Sequence, residues 1–154
     1  MTARIFQLNA SNGGVPKMPM RRAEVNLRGI TLDEQADKQH HGSPEQALCL
    51  FSLERILELQ AEGHPIYPGS TGENVTIAGL DWTAVVPGVR LRLGDEALVE
   101  ITDYATPCHK IRRSFVDEDY GRLSETRHPG WARAYGRVLQ IGRLHIGDAV
   151  SLIE

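Results

Sequence analysis

The stretch GVRLRLGDEALVEI, residues 88–101, sets Val89, Leu91 and Leu93 against Val99 and Ile101 across Gly94-Asp95. Apolar residues that alternate on both sides of a glycine-containing turn are the pattern of a β-hairpin, because successive strand side chains point to opposite faces. The pattern returns at the far end of the chain. GRLHIGDAVSLIE, residues 142–154, bends again at Gly-Asp, and Arg-Leu-x-Leu/Ile-Gly-Asp is common to Arg90–Asp95 and Arg143–Asp148. Two short matches do not establish a duplication. Recurrent hairpins do point to a barrel or a strongly curled sheet, which leaves few open strand edges. Fifteen glycines and eight prolines supply the turns such a chain needs. The expected class is therefore mainly β with a few helices, barrel-like, in one domain over residues 1–154.

Other segments fill in this outline. ARIFQL, residues 3–8, reads as an opening strand, followed by a turn-rich loop, SNGGVPK. AEVNLRGI, residues 23–30, alternates with Val25 and Leu27 on one side and predicts a second strand. A long helix is expected over 44–62. Ser43 serves as its N-cap, Pro44 takes the first helical position and Gln46 the capping-box position. Leu50, Leu53 and Leu57 recur at helical spacing beside Phe51 and Ile56, and Gly63 ends the run. Cys49, between Leu48 and Leu50, is then core.

Composition excludes several classes. The net charge of −3 gives no reason to expect nucleic acid or an anionic membrane as partner. No apolar run approaches the roughly 20 residues of a membrane span, and MTARIFQLNA lacks the apolar core of a secretion signal. The two cysteines, Cys49 and Cys108, form no disulfide framework, so reduced thiols in the cytoplasm are expected. There is no phosphate-binding P-loop, no dinucleotide glycine fingerprint and no Gly-x-Ser-x-Gly elbow.

The chemically suggestive stretch is YATPCHKIRR, residues 104–113. Thr106 fits a helix N-cap, Pro107 the first helical position, and Ile111 with Phe115 an apolar i, i+4 pair. Cys108 would then lie in the first turn of a short helix, where the positive end of the helix dipole and unpaired N–H groups favour a thiolate. Lys110, Arg112 and Arg113 add to that preference if they face it. Such a thiolate suits a nucleophile or a ligand for a soft metal; the plain alternative is a small residue in a helix turn.

Three other stretches leave their readings open. Lys17 closes GGVPK, where its ammonium either meets an anion or is solvated at a turn. LDEQADKQHHGS offers His40 and His41 as metal ligands beside Cys108, although adjacent histidines match no strong zinc spacing; otherwise Gly42 lets the chain turn while Asp33 or a histidine ties loops together. YPGSTGENVTI has turn formers and then Glu73-Asn74, an amide suited to a heterocycle's donor and acceptor edge but also routine turn chemistry. The segment SFVDEDYGRLSETRHPGWARAYGR forms either a lid or a cover over the barrel, and a cover is expected.

Taken in order, Gly-Val-Pro-Lys at 14–17, Asp-x-Gln-x-Asp with His-His-Gly at 33–42, Gly-Glu-Asn-Val-Thr at 72–76, the Gly-Asp hairpin at 91–95 and Pro-Cys-x-Lys-Ile at 107–111 resemble the MOSC domain. That family is named after the C-terminal domain of molybdenum cofactor sulfurases. The resemblance runs from about residue 4 to residue 153 and is closest to small stand-alone bacterial members. It implies a barrel-like β fold, a molybdenum–pterin cofactor (molybdopterin), and one cysteine acting as metal ligand or sulfur carrier, which maps onto Cys108. It further implies that Lys17 with Arg22, Lys110, Arg112 or Arg113 meets the pterin phosphate, and that His41, Gly72, Glu73 and Asn74 contribute to cofactor binding. The chain departs from the family's His-Gly-Gly at His41-Gly42-Ser43, and carries Ala105 where members often have an arginine three residues before the cysteine. Whether Arg112 or Arg113 replaces that cation is left open.

The function the resemblance implies is an oxidoreductase acting on a small N-hydroxylated substrate, with Cys108 as molybdenum thiolate. A separate electron-donor protein is expected, because no iron–sulfur cysteine set or flavin or nicotinamide fingerprint is present. The alternatives are a sulfurtransferase carrying a Cys108 persulfide and a cofactor-binding module without turnover.

Overall fold

The computed structural model describes residues 2–10, 15–30 and 44–153. Its strands are β1 (Ala3–Ala10), β2 (Met18–Met20), β3 (Arg22–Asn26), β4 (Gly29–Ile30), β5 (Leu48–Ser52), β6 (Val75–Ala78), β7 (Arg90–Leu93), β8 (Ala97–Tyr104), β9 (Ala134–Gln140), β10 (Gly142–His145) and β11 (Ala149–Ile153). One α-helix, α1 (Leu53–Ala61), and several short 3-10 turns complete the described residues. The larger sheet runs β11-β7-β8-β9-β5-β6-β1-β2, and a further β11–β1 pairing closes seven of these strands into a barrel. Ala3 pairs with Val150 and Arg4 with Ala149 at the seam. A small second sheet, β10-β3-β4, lies beside it. The mainly β, barrel-like expectation therefore holds.

The interior is built by alternation. Leu91 and Leu93 on β7, and Ala97, Val99 and Ile101 on β8, are buried, while Arg90 and Arg92 flank them. The β7–β8 hairpin forms as its sequence predicts, with Leu93 opposite Ala97 and Gly94 at φ +66°. Gly136 on β9 has to be a glycine, since a Cβ there would run into the Val99 side chain, with Leu50 Cδ1 3.3 Å away. The core sits where these strands face one another.

Three sequence expectations need correction. The second Gly-Asp stretch is not a hairpin. β10 pairs with β3, whereas β11 pairs with β7 and β1, so Gly147-Asp148 carries the chain from one sheet to the other. The turn is locally sound: Gly147 has φ +91°, and the Asp148 carboxylate accepts from His145 N at 2.9 Å. The two Gly-Asp bends nonetheless meet in space, because a Cβ on Gly94 would lie 2.7 Å from Asp148 Oδ2.

The long helix over 44–62 is also not formed. Residues Pro44–Gln46 make one 3-10 turn, β5 follows, and α1 begins at Leu53. All five residues of LCLFS are buried. A short apolar run covered on both faces cannot be told from a helix by periodicity alone, and here sheet pairing with β6 and β9 decides it. The N-cap is Ser52, whose hydroxyl accepts from Arg55 N at 3.1 Å, and Ser43 lies outside the described residues. Ile56 and Leu59 form the buried stripe of α1, while Leu57 is 51% exposed. Gly63 ends the helix as expected, at φ +100°.

AEVNLRGI, finally, is a hairpin, β3 to β4, rather than a single strand. Asn26 Oδ1 accepts from Arg28 N at 2.7 Å, a side-chain turn contact, and this leaves Leu27 59% exposed at the bend while Val25 is buried. No helix among the described residues is long and apolar enough to cross a membrane.

Candidate functional site

Two segments that are far apart in sequence meet outside the barrel. The first is the loop 67–74 between α1 and β6. It turns at Tyr67–Ser70, where Ser70 N donates to Tyr67 O at 2.9 Å, and it is held against residue 17 by Lys17 N donating to Gly69 O at 2.9 Å. Gly69 (φ +90°) allows this approach: a Cβ there would stand 2.6 Å from Lys17 O. Gly72 plays a similar part, since its Cβ would meet Val15 Cγ1 at 2.9 Å. Lys17 is accordingly 9% exposed and is no solvated turn lysine.

Glu73 and Asn74 end this loop, and both are sealed from solvent. Glu73 is 0% exposed; Thr71 Oγ1 and Thr76 Oγ1 donate to its two oxygens at 2.9 and 3.3 Å. Burial pushes its carboxyl up from the ordinary range, against the opposing pull of its hydrogen bonds and of the Arg133 charge. The Asn74 amide bridges strands: its Oδ1 accepts from Cys49 N at 2.9 Å and its Nδ2 donates to Asn9 O at 3.4 Å. The Asn74 amide thus ties β5 to β1, while the Glu73 carboxylate is bonded within its own stretch, by Thr71 and Thr76.

The second segment leaves β8 and carries the thiol. Cys108 is exposed and free, in extended conformation at the N-cap of a six-residue 3-10 turn, His109–Ser114. The short helix expected with Cys108 in its first turn is thus a 3-10 turn beginning one residue after the thiol. Its donor Ile111 N reaches Cys108 O at 3.1 Å. Ile111 and Phe115 are buried anchors, so the expected apolar pair is correct. Lys110 and Arg113 are exposed. Arg112 turns to its own segment, donating to His109 O at 2.9 Å and pairing with Glu118 at 3.3 Å.

The segment is tied to the 67–74 loop at both ends. Ser114 Oγ and Ser70 Oγ are 2.9 Å apart, and this contact is buried. Upstream, Ala105 N donates to Arg133 O at 2.8 Å, while Arg133 Nη1 donates to Thr71 O at 2.7 Å. Cys108 therefore lies on a strap clamped over the loop that contains Gly72, Glu73 and Asn74 and holds Lys17. His41 lies outside the described residues, as does His40.

Residues that the sequence reading passed over shape this region. Arg133 is 6% exposed, and its Nε has no hydrogen-bond partner among the described residues. A buried guanidinium N–H without an acceptor is costly, and it is the Arg133 backbone carbonyl, not the guanidinium, that meets Ala105 N. No sequence signal pointed to it, because Arg133 lies just before β9 and falls on no periodic face. Cys49, assigned to a helical core, instead packs from β5 against Tyr135 and Ala105, a buried cluster separate from the main core. After Ser114, Val116–Glu118 and Tyr120–Leu123 form 3-10 turns, and the end of the segment expected as a cover, from Ala134 on, is strand β9. His64 Nδ1 accepts from Val116 N at 3.1 Å, and Trp131 is held between the Arg55 and Arg122 guanidiniums at 4.4 and 4.1 Å.

A closed seven-stranded barrel with a cysteine-bearing strap over a glycine-rich loop defines the class of the protein. The family model for the MOSC domain matches residues 37–151. The chain belongs to the MOSC domain family. It is 33% identical over 144 residues to the uncharacterized protein YflK of Bacillus subtilis (strain 168), covering 92% of this chain and 63% of that one. It is 33% identical over 108 residues to the protein YiiM of Escherichia coli (strain K12), covering 67% of this chain and 48% of that one. The chain thus spans less than two thirds of the length of these relatives. A protein of Gibberella moniliformis (strain M3125 / FGSC 7600) named as a reductase is 30% identical over 131 residues, covering 82% of this chain and 23% of that one. Among solved structures, YiiM from Geobacillus stearothermophilus superposes with a TM-score of 0.75 at 24% identity, covering 99% of this chain and 75% of that one. The YUAD protein from Bacillus subtilis gives 0.77 at 20% identity, covering 99% and 96%.

Proposed function

We propose that the chain binds a molybdenum–pterin cofactor through Cys108 and works as an oxidoreductase on small N-hydroxylated compounds, with electrons from a separate protein. The observation that carries this reading is the placement of Cys108: exposed, unpaired and at the start of a strap fixed at both ends. A thiolate so placed is a ligand for a soft metal. Among the described residues no three His, Cys, Asp or Glu side chains gather as a metal site. A pterin dithiolene would supply further ligands to a metal held by Cys108. Lys110 and Arg113 are exposed on the strap and offer cations to a phosphate group. When bound, such a cofactor supplies a metal able to take an oxygen atom from the substrate. The chain's own part is to hold the ligand thiolate, to fix the strap through Ser70–Ser114 and Arg133–Thr71, and to neutralise phosphate charge.

The relative named as a reductase favours redox chemistry over sulfur transfer. The exposure of Cys108 also serves the second reading, in which it carries a persulfide and passes on the outer sulfur. Purified protein should contain molybdenum and pterin near one per chain. It should reduce benzamidoxime with an artificial electron donor, and Cys108→Ala should lower that rate by at least about 100-fold. Undiminished activity in Cys108→Ala overturns the proposal. A persulfide on Cys108 by mass spectrometry, without metal, replaces it with sulfur transfer.

A further inference from the structure

A cleft of about 270 Å³ opens between the 82–86 turn, the end of β8 and the 125–132 segment. We infer that it is a binding site for a compact organic cation with an aromatic body, an arylammonium or amidinium, held by Glu125 and Tyr104 against Trp82.

The walls are mostly apolar: Trp82, Val85 and Ala132 are buried residues that line it, and Val86 forms part of the rim. The Trp82 N–H is already taken by Ala132 O at 2.8 Å, so the indole lines the cleft as an aromatic apolar wall, not as a donor. Three polar side chains line this surface, and one of them, Thr83, already donates its hydroxyl to Asp81 Oδ1 at 2.6 Å. The Glu125 carboxylate has one partner among the described residues, Gly130 N, at 3.0 and 3.1 Å from its two oxygens. A single N–H leaves most of the carboxylate's acceptor capacity open to the cleft. Tyr104 lines the same space; burial and then the Glu125 and Asp103 charges push its hydroxyl up, which keeps it a donor and acceptor at neutral pH.

A carboxylate, a phenol and an indole around an apolar hollow favour a cation that also has a flat apolar body, because charge pairing, π-face attraction and burial then add. The volume lies just below the roughly 300 Å³ at which sites for drug-sized ligands begin, so a single-ring ligand fits. Arg55 is the opposing cation on this turn, donating to Gly130 O at 3.1 Å. Its charge is met by Glu58 at 3.5 Å and its plane lies over Trp131, which leaves Glu125 to set the sign of the cleft.

Benzamidine is the probe. Titrated into the full chain, it should shift the Trp82 indole N–H and the Gly130 amide signals in nuclear magnetic resonance spectra. Benzyl alcohol and benzoate at equal concentration should shift them at least about tenfold less. Glu125→Gln keeps an acceptor for Gly130 N and should weaken benzamidine at least about fivefold, with Tyr104→Phe as a smaller step in the same direction. Equal shifts from benzyl alcohol, unchanged affinity in Glu125→Gln, or no shift with benzamidine overturns the site. Cys108 takes no part in this measurement, so it stands or falls independently of the molybdenum reading.

Discussion

The loop 67–74 and the strap 105–123 lie against each other, yet they are held by opposite means. In the loop, glycines permit backbone approaches that any side chain would block, and the polar groups of Glu73 and Asn74 are satisfied inside the protein. In the strap, a few anchors (Ile111, Ser114, Phe115 and Leu123) carry a run of 3-10 turns whose charged residues face outward. The loop is something the barrel needs in order to form. The strap is something the barrel displays. The Asn74 amide bridges β5 and β1, whereas the thiol is exposed on the strap.

The sharpest way to break that contrast is at the loop's backbone. Gly69→Ala places a methyl group 2.6 Å from Lys17 O at φ +90°. Left-handed strain and overpacking together should cost about 3 kcal/mol, read as a lower midpoint in denaturant unfolding. Gly63→Ala is the control, since it has a comparable φ of +100° but open space around it, and should cost about 1 kcal/mol. Equal losses in the two variants would mean that close approach to residue 17 is not what fixes the loop.

A smaller effect, and one that depends on pH, is expected at Glu73. Its carboxyl is raised by burial, so the folded state binds a proton more readily than the unfolded chain does. The contribution of Glu73 is then full below the ordinary carboxylate value and is lost as pH rises toward its folded value. The slope approaches at most about 1.4 kcal/mol per pH unit for one proton. Unfolding measured from pH 5 to pH 8 should show wild type losing stability relative to Glu73→Gln as pH rises. A gap that moves the other way would mean Arg133 and the threonine hydroxyls outweigh desolvation.

These two regions were not equally legible in the sequence. The β7–β8 hairpin, the opening strand and the end of α1 could be read because each is decided locally, by alternation, a turn glycine or a helix stop. LCLFS could not, because its helix-like spacing was overruled by partners more than 20 residues away, Asn74–Ile77 and Ala134–Gly136. The Gly-Asp repeat misled for the same reason. Turn chemistry at Gly147-Asp148 is local, but which strands flank it is set by β3, β7 and β1. Within the site, the thiol was visible from its neighbours in the chain. Arg133 was not, since its interest lies in a buried nitrogen without an acceptor, a property of packing alone.

The smallest effect is the one that most sharpens the comparison. If the strap is displayed rather than required, removing its chemistry leaves the fold untouched. Cys108 is exposed, makes no cap hydrogen bond with its side chain, and belongs to neither core cluster. Arg113 is likewise exposed. Cys108→Ala and Arg113→Ala should each move the unfolding free energy by less than about 0.5 kcal/mol, the ordinary range for surface changes away from special features. Ser114→Ala breaks a buried hydroxyl pair with Ser70 and should cost about 1 kcal/mol. A loss above 1 kcal/mol in Cys108→Ala would place the thiol among the structural contacts. Stability data on these three variants decide whether the thiol is a structural contact, without any assay of turnover.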